Sequence, residues 1–175
     1  MDTGFLLDIL MHRRQRIVSI LKDRYAVETY SCLQRSAIAS SFSVAGSSGY
    51  QREFKRYYRI RWGERNGDEA FFSALQDARQ VGASFEQVLD SLHDHTGRWE
   101  LSFVSKLFAT IDPALPPYDE LVRIALGLRW TRGQGKERKL DVYNDLKCRT
   151  SEIVRSERFS GLRTVFDEEF PNTRT

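Results

Sequence analysis

Apolar residues recur at helical rather than alternating spacing along most of this chain. In 5–25, Leu6, Ile9, Leu10, Ile17, Ile20 and Leu21 fall on one side, with Arg13, Arg14, Arg16 and Lys22 between them, which predicts an amphipathic helix. A second helix is expected over 27–39. The stretch SSFSVAGSSG (40–49) reads as a Ser/Gly/Ala-rich loop and a candidate linker, which would make 1–40 an N-terminal helical appendage. The segment YQREFKRYYRIRWGERNG (50–67) fits a strand through Arg59–Trp62 or a helix face of Phe54, Tyr57, Tyr58 and Arg61. The helix is preferred to about residue 61, followed by a turn from Gly63 to Gly67.

Punctuation is clearer downstream. Asp68 is placed to cap a helix with Phe71, Phe72 and Leu75 on one face, and Gly82 ends it. Ser84 followed three residues later by Gln87 is a capping-box signature for a helix over 85–94, with Gly97 breaking the chain beyond it. WELSFVSKLFATI (99–111) is a short apolar helix stopped by Asp112-Pro113; the loop PALPPYD leads into a helix over 119–127 that Gly127 ends. Gly133 and Gly135 precede a long polar helix, about 137–156, and a last one covers 159–169. With no internal repeat and little alternation, the expected fold is all-α: an irregular bundle of about seven to eight short helices in one domain spanning 1–175.

Composition adds limits. The chain has 175 residues, 41% of them hydrophobic and 12% aromatic, enough for a core without disulfide or metal staples. Cys32 and Cys148 have no CxxC or Cys/His partner spacing, which argues against zinc and for a reducing compartment. The apolar cluster in MDTGFLLDILMHRRQR precedes its basic run, the wrong order for a signal peptide, and no apolar stretch is long enough to span a bilayer. A soluble, cytoplasmic protein is expected. The net charge of +3 is unevenly placed: residues 1–66 hold 12 Lys/Arg against 6 Asp/Glu, and the remainder is net acidic. Positive potential is therefore concentrated in the first third, which favours an anionic partner.

Candidate chemistry centres on 99–127. On a helical wheel, Leu101, Phe103, Val104, Leu107, Phe108 and Ile111 cover one arc, and Ser102, Ser105, Lys106, Ala109 and Thr110 lie opposite. Lys106 thus stands among small residues that would let a large flat partner approach its amine. A solvated lysine on an outer helix face fits the same pattern. Asp119, after two prolines and at a helix start, reads equally as a simple N-cap or as a carboxylate facing a site, and Asp112 before Pro113 has the same capping reading.

The segment LSFVSKLFATIDPALPPYDELVRIALGL, about thirty of the 175 residues, resembles the core of the helix-hairpin-helix DNA glycosylase superfamily, the 8-oxoguanine glycosylase branch in particular. The likeness lies in a helix bearing a lysine, a proline-containing connection and an aspartate heading the next helix. It departs from that pattern in having Phe103 and Ser105 where the family's hairpin carries glycines, and in a shorter lysine-to-aspartate interval. The resemblance implies that Lys106 is a nucleophile and Asp119 the catalytic aspartate, in an enzyme that flips and excises a modified base from DNA and then cleaves the strand through a lysine Schiff base. A monofunctional enzyme, in which Asp119 aids attack by water and Lys106 only positions DNA, is the other form.

Residues 50–65 supply a second feature. Eleven of these sixteen positions are basic or aromatic, among them Arg52, Lys55, Arg56, Tyr57, Tyr58, Arg59, Arg61 and Trp62. Arginines neutralise phosphates and aromatic rings stack on exposed bases, so DNA, single-stranded or with a flipped base, is the expected partner. Arg129 and Arg132, flanking Trp130, are further candidates for backbone contacts. The same composition fits an amphipathic helix with aromatics in the core and arginines in water. His93 and His95 are too close in sequence for a helical metal pair, the acidic run at Asp167–Glu169 reads as an exposed helix end, and there is no Walker loop, GxSxG elbow or dinucleotide fingerprint. No metal and no cofactor are expected. A non-catalytic nucleic-acid binder and a protein-interaction module remain alternatives on the same scaffold.

Overall fold

A computed structural model describes residues 3–60 and 67–171. Among them are ten α-helices and no strand: α1 (Thr3–His12), α2 (Arg14–Asp23), α3 (Ala26–Ile38), α4 (Ser48–Tyr57), α5 (Gly67–Val81), α6 (Phe85–Thr96), α7 (Leu101–Ile111), α8 (Glu120–Ala125), α9 (Lys136–Arg155) and α10 (Glu157–Glu169). The fold is an all-α bundle with more helices than the periodicity implies. No helix among the described residues is long and apolar enough to cross a membrane.

The extra helices come from breaks that the apolar pattern does not mark. The single helix expected over 5–25 is two, interrupted at Arg13, although the apolar spacing continues through the break. α4 stops at Tyr57 rather than near 61, and α5 starts at Gly67, so Asp68 lies inside its first turn rather than at its N-cap. The stretch expected as a linker is not a loose spacer. Val44 within it is fully buried, with its N–H donating to Gln76 Oε1 on α5 at 3.0 Å. Ser84 and Gln87 make both bonds of the expected capping box, whereas the last helix starts earlier than expected, capped by Ser156, which accepts from the Phe159 N–H.

The main core joins α3 to α7. Phe54 of α4, Phe71 and Phe72 of α5 and Phe103 of α7 are buried together; the Phe71 and Phe103 rings lie 3.8 Å apart and Phe54 meets Phe72 edge-on. Burying each such ring contributes about 1.5–3 kcal/mol. A second cluster gathers Leu101, Tyr118, Leu126 and Leu128 against Val142, Tyr143 and Leu146 of α9. α7 takes part in both clusters, and α3, α5 and α6 pack around it.

Candidate functional site

α7 is buried on more sides than its polarity pattern suggests. Ser105, Ala109 and Thr110, on the arc expected to face a flat partner, are fully buried. Their small size admits protein instead: the Tyr30 hydroxyl of α3 donates to the Ala109 carbonyl at 2.7 Å, and the Tyr58 hydroxyl lies 3.0 Å from Thr110 Oγ1. Thr110 donates its own proton to the Lys106 carbonyl at 2.8 Å, so Tyr58 is the donor in that pair. Lys106 itself stays half-buried, emerging between these contacts.

Two serines fasten the α7–α8 connection to α7. Ser105 Oγ accepts the buried Tyr118 N–H at 2.8 Å, while Ser102 Oγ donates to the Tyr118 carbonyl at 3.0 Å. Both peptide groups flanking Tyr118 are thereby held. Its hydroxyl is held too, 3.1 Å from Thr131 Oγ1. Ser102 Oγ also accepts from Lys106 Nζ at 3.1 Å, so one hydroxyl links the amine to the backbone that carries Asp119. Asp119 has extended backbone (φ −144°, ψ 174°) and caps α8, Oδ1 accepting the Val122 N–H at 2.9 Å. The cap occupies that one oxygen. Asp112 serves its own turn, accepting from the Ala114 N–H at 2.9 Å.

Lys106 and Asp119 line one groove of about 780 Å³. Its other walls include Arg56 and Tyr57 of α4, Tyr58 and Arg59 just beyond it, and Arg24 and Tyr25 from the α2–α3 corner. Burial lowers the Lys106 pKa from its ordinary 10.5, and the Asp119 charge opposes that fall. The amine also lies 6.0 Å from the centre of the Tyr58 ring, within cation–π range. Burial drives the Tyr58 hydroxyl far above its ordinary pKa, so it remains a donor. Tyr57 stacks on Tyr30 with centroids 5.7 Å apart, which fixes its ring as a wall.

Of the residues proposed from sequence, Arg56, Tyr57, Tyr58, Arg59, Lys106 and Asp119 therefore meet at one groove. Arg52 and Lys55 sit on α4 but are not among its walls, and neither are Arg129 and Arg132, which are exposed beyond α8. Arg61 and Trp62 lie outside the described residues. Arg24 and Tyr25 are groove residues that sequence reasoning did not single out, and the charge surplus of the first third was their signal. No group of three or more His, Cys, Asp or Glu among the described residues is placed to hold a metal ion.

Backbone geometry marks the same groove. Tyr25 and Arg59, with φ of 48° and 52°, are the non-glycine residues of positive φ among those described, and both line it. Each follows a helix end. At Arg59 the bonds are those of a Schellman cap, Arg59 N–H to the Arg56 carbonyl and Ile60 N–H to the Lys55 carbonyl, at a position that favours glycine. Gly82, Gly97 and Gly127 fill the corresponding left-handed positions after α5, α6 and α8.

Comparison with protein-family models, with curated proteins and with solved structures found no match.

Proposed function

We propose that the groove binds DNA with a nucleotide turned out of the stack and that Lys106 and Asp119 form a glycosylase and lyase centre within it. The observation that carries this reading is that an amine of lowered pKa and a carboxylate from successive helices line one groove together with Arg24, Arg56 and Arg59. Arginines there would neutralise phosphates flanking the displaced nucleotide, and the tyrosine walls offer faces for a base.

In this scheme the neutral Lys106 amine attacks C1′ of the sugar. The C1′–N bond breaks, and the base leaves with the bonding pair and takes up a proton. The Asp119 carboxylate stabilises the positive character that develops on the sugar. The attached amine then passes a proton to O4′ as the C1′–O4′ bond breaks, which opens the ring and leaves a protonated imine between Nζ and C1′. Loss of a C2′ proton expels the 3′ phosphate, and water then hydrolyses the imine and restores the lysine. Burial favours the first step by lowering the pKa, since only the neutral amine has the electron pair to donate.

Borohydride trapping on duplexes carrying 8-oxoguanine, uracil or an abasic site tests the reading. Trapping of the wild type, its loss in Lys106→Gln and its slowing in Asp119→Asn are expected. Asparagine still caps a helix, so the aspartate variant isolates the charge from the cap. Undiminished trapping by Lys106→Gln, or none by the wild type on any of these duplexes, would overturn the covalent scheme.

A further inference from the structure

The left-handed backbone at Tyr25 and Arg59 separates these two helix ends from those closed by glycine. A long side chain at such a position costs conformational energy, and strain of this kind persists where surrounding structure enforces it, often at ligand-binding sites. Both of these strained residues project from walls of the same groove. Tyr25 is 71% exposed, high for an aromatic ring, and its side chain has no hydrogen bond or ring partner among the described residues. Beside it, Arg24 also lines the groove and is exposed.

α2 extends this corner. Ile20, another groove residue, lies one helical turn before Arg24, and Arg16 lies one turn before Ile20, so Arg16, Ile20 and Arg24 share a stripe of the helix. Arg16 and Arg24 are exposed and pair with no carboxylate among the described residues, unlike Arg56, Arg123, Arg149 and Arg158. Arg16 and Arg24 are eight residues apart, about 12 Å along the axis, so they would meet phosphates several positions apart on a strand rather than adjacent ones. A ring beside two guanidinium groups, none of them with a partner among the described residues, suits an unstacked nucleic-acid strand better than an acidic protein surface, which would satisfy the arginines and leave the ring idle.

We infer that the α2–α3 corner is a strand-gripping element, with Tyr25 stacking on an unpaired base at the groove mouth and Arg24 and Arg16 neutralising phosphates along the same strand. The inference rests on the reading of the groove as a nucleic-acid site but not on the lysine chemistry.

Fluorescence anisotropy of a labelled oligothymidylate, and of a duplex containing a tetrahydrofuran site, over a salt series provides the test. Tyr25→Gly removes the ring and relieves the backbone. It is expected to raise the Tm by about 2–4 °C while weakening binding roughly 5- to 100-fold. Tyr25→Phe retains the ring and is expected to bind like the wild type. Arg16→Gln and Arg24→Gln should each flatten the dependence of log affinity on log salt by about 0.7 on the single strand. Tyr25→Gly binding as tightly as the wild type, unchanged salt slopes, or a wild type that binds neither probe would overturn the inference. Borohydride trapping in parallel separates the two claims: loss of binding in the corner variants with no trapping in the wild type retains the gripping element and removes the covalent chemistry. Normal trapping with unaffected binding does the reverse.

Discussion

Replacing Ser105 by alanine removes one oxygen from a fully buried position and leaves the Tyr118 N–H with no acceptor. A buried donor stranded in this way costs about 1–3 kcal/mol. Losing the bond from Ser105 to the Ser102 carbonyl adds little, because that carbonyl is also a helical acceptor. Alanine returns up to about 0.5 kcal/mol through its better helix propensity. The net destabilisation is then about 0.5–3 kcal/mol, and at about 2–4 °C per kcal/mol the Tm falls by roughly 1–12 °C. Ser102→Ala should cost less, since the Tyr118 carbonyl it frees has a second lone pair and the site is only partly buried. Thermal and urea unfolding followed by circular dichroism measure both, and a slower trapping reaction in Ser105→Ala would report displacement of Asp119. A Ser105→Ala protein as stable as the wild type, or less affected than Ser102→Ala, would refute the claim that this hydroxyl holds the connection in place.

Three other outcomes follow from named groups. The Lys106 pKa is lowered by burial, so at neutral pH the folded state carries a charge that it solvates poorly; as pH rises through the lowered pKa towards 10.5, the folded lysine loses its proton before the unfolded one and stability increases. Lys106→Met should therefore be more stable than the wild type at neutral pH, with the advantage shrinking towards pH 10.5, and Asp119→Asn should lower the Lys106 pKa further, seen as faster reductive methylation of Lys106 at a given pH. Arg79 Nη1 donates to the carbonyls of Ala37 and Ala39 at 3.1 and 3.2 Å, closing the end of α3, so Arg79→Met should lose about 2 kcal/mol in urea unfolding, and an unchanged midpoint would show that those carbonyls find other donors.

Local chemistry was the legible part of the fold. Ser84 with Gln87, Gly82, Gly97 and Asp119 announce helix ends because the residue that caps a helix must have a particular side chain or tolerate a particular φ. The break at Arg13 has no such marker, and apolar residues continue through it at helical spacing. α7 misleads in another way. A wheel sorts residues by polarity, whereas Ser105, Ala109 and Thr110 are buried because they are small enough for α3 and the Tyr118 backbone to approach. Lys106 and Asp119 were recognisable from their own segment. Their neighbours Arg24 and Tyr25 were not, because tertiary packing alone brings the α2–α3 corner to that groove, and at Tyr25 the chain has an aromatic residue where the local signal would have been glycine.

The hold of α7 on both peptide groups at Tyr118 fixes the far end of the connection independently of the turn that Asp112 makes within it. Where the carboxylate stands is decided by two hydroxyls on the helix, not by the length or stiffness of the tether leading to it. An engineered insertion in that segment is therefore expected to leave the amine and the acid where they stand. A motif search that fixes the number of positions separating the two would overlook chains built this way.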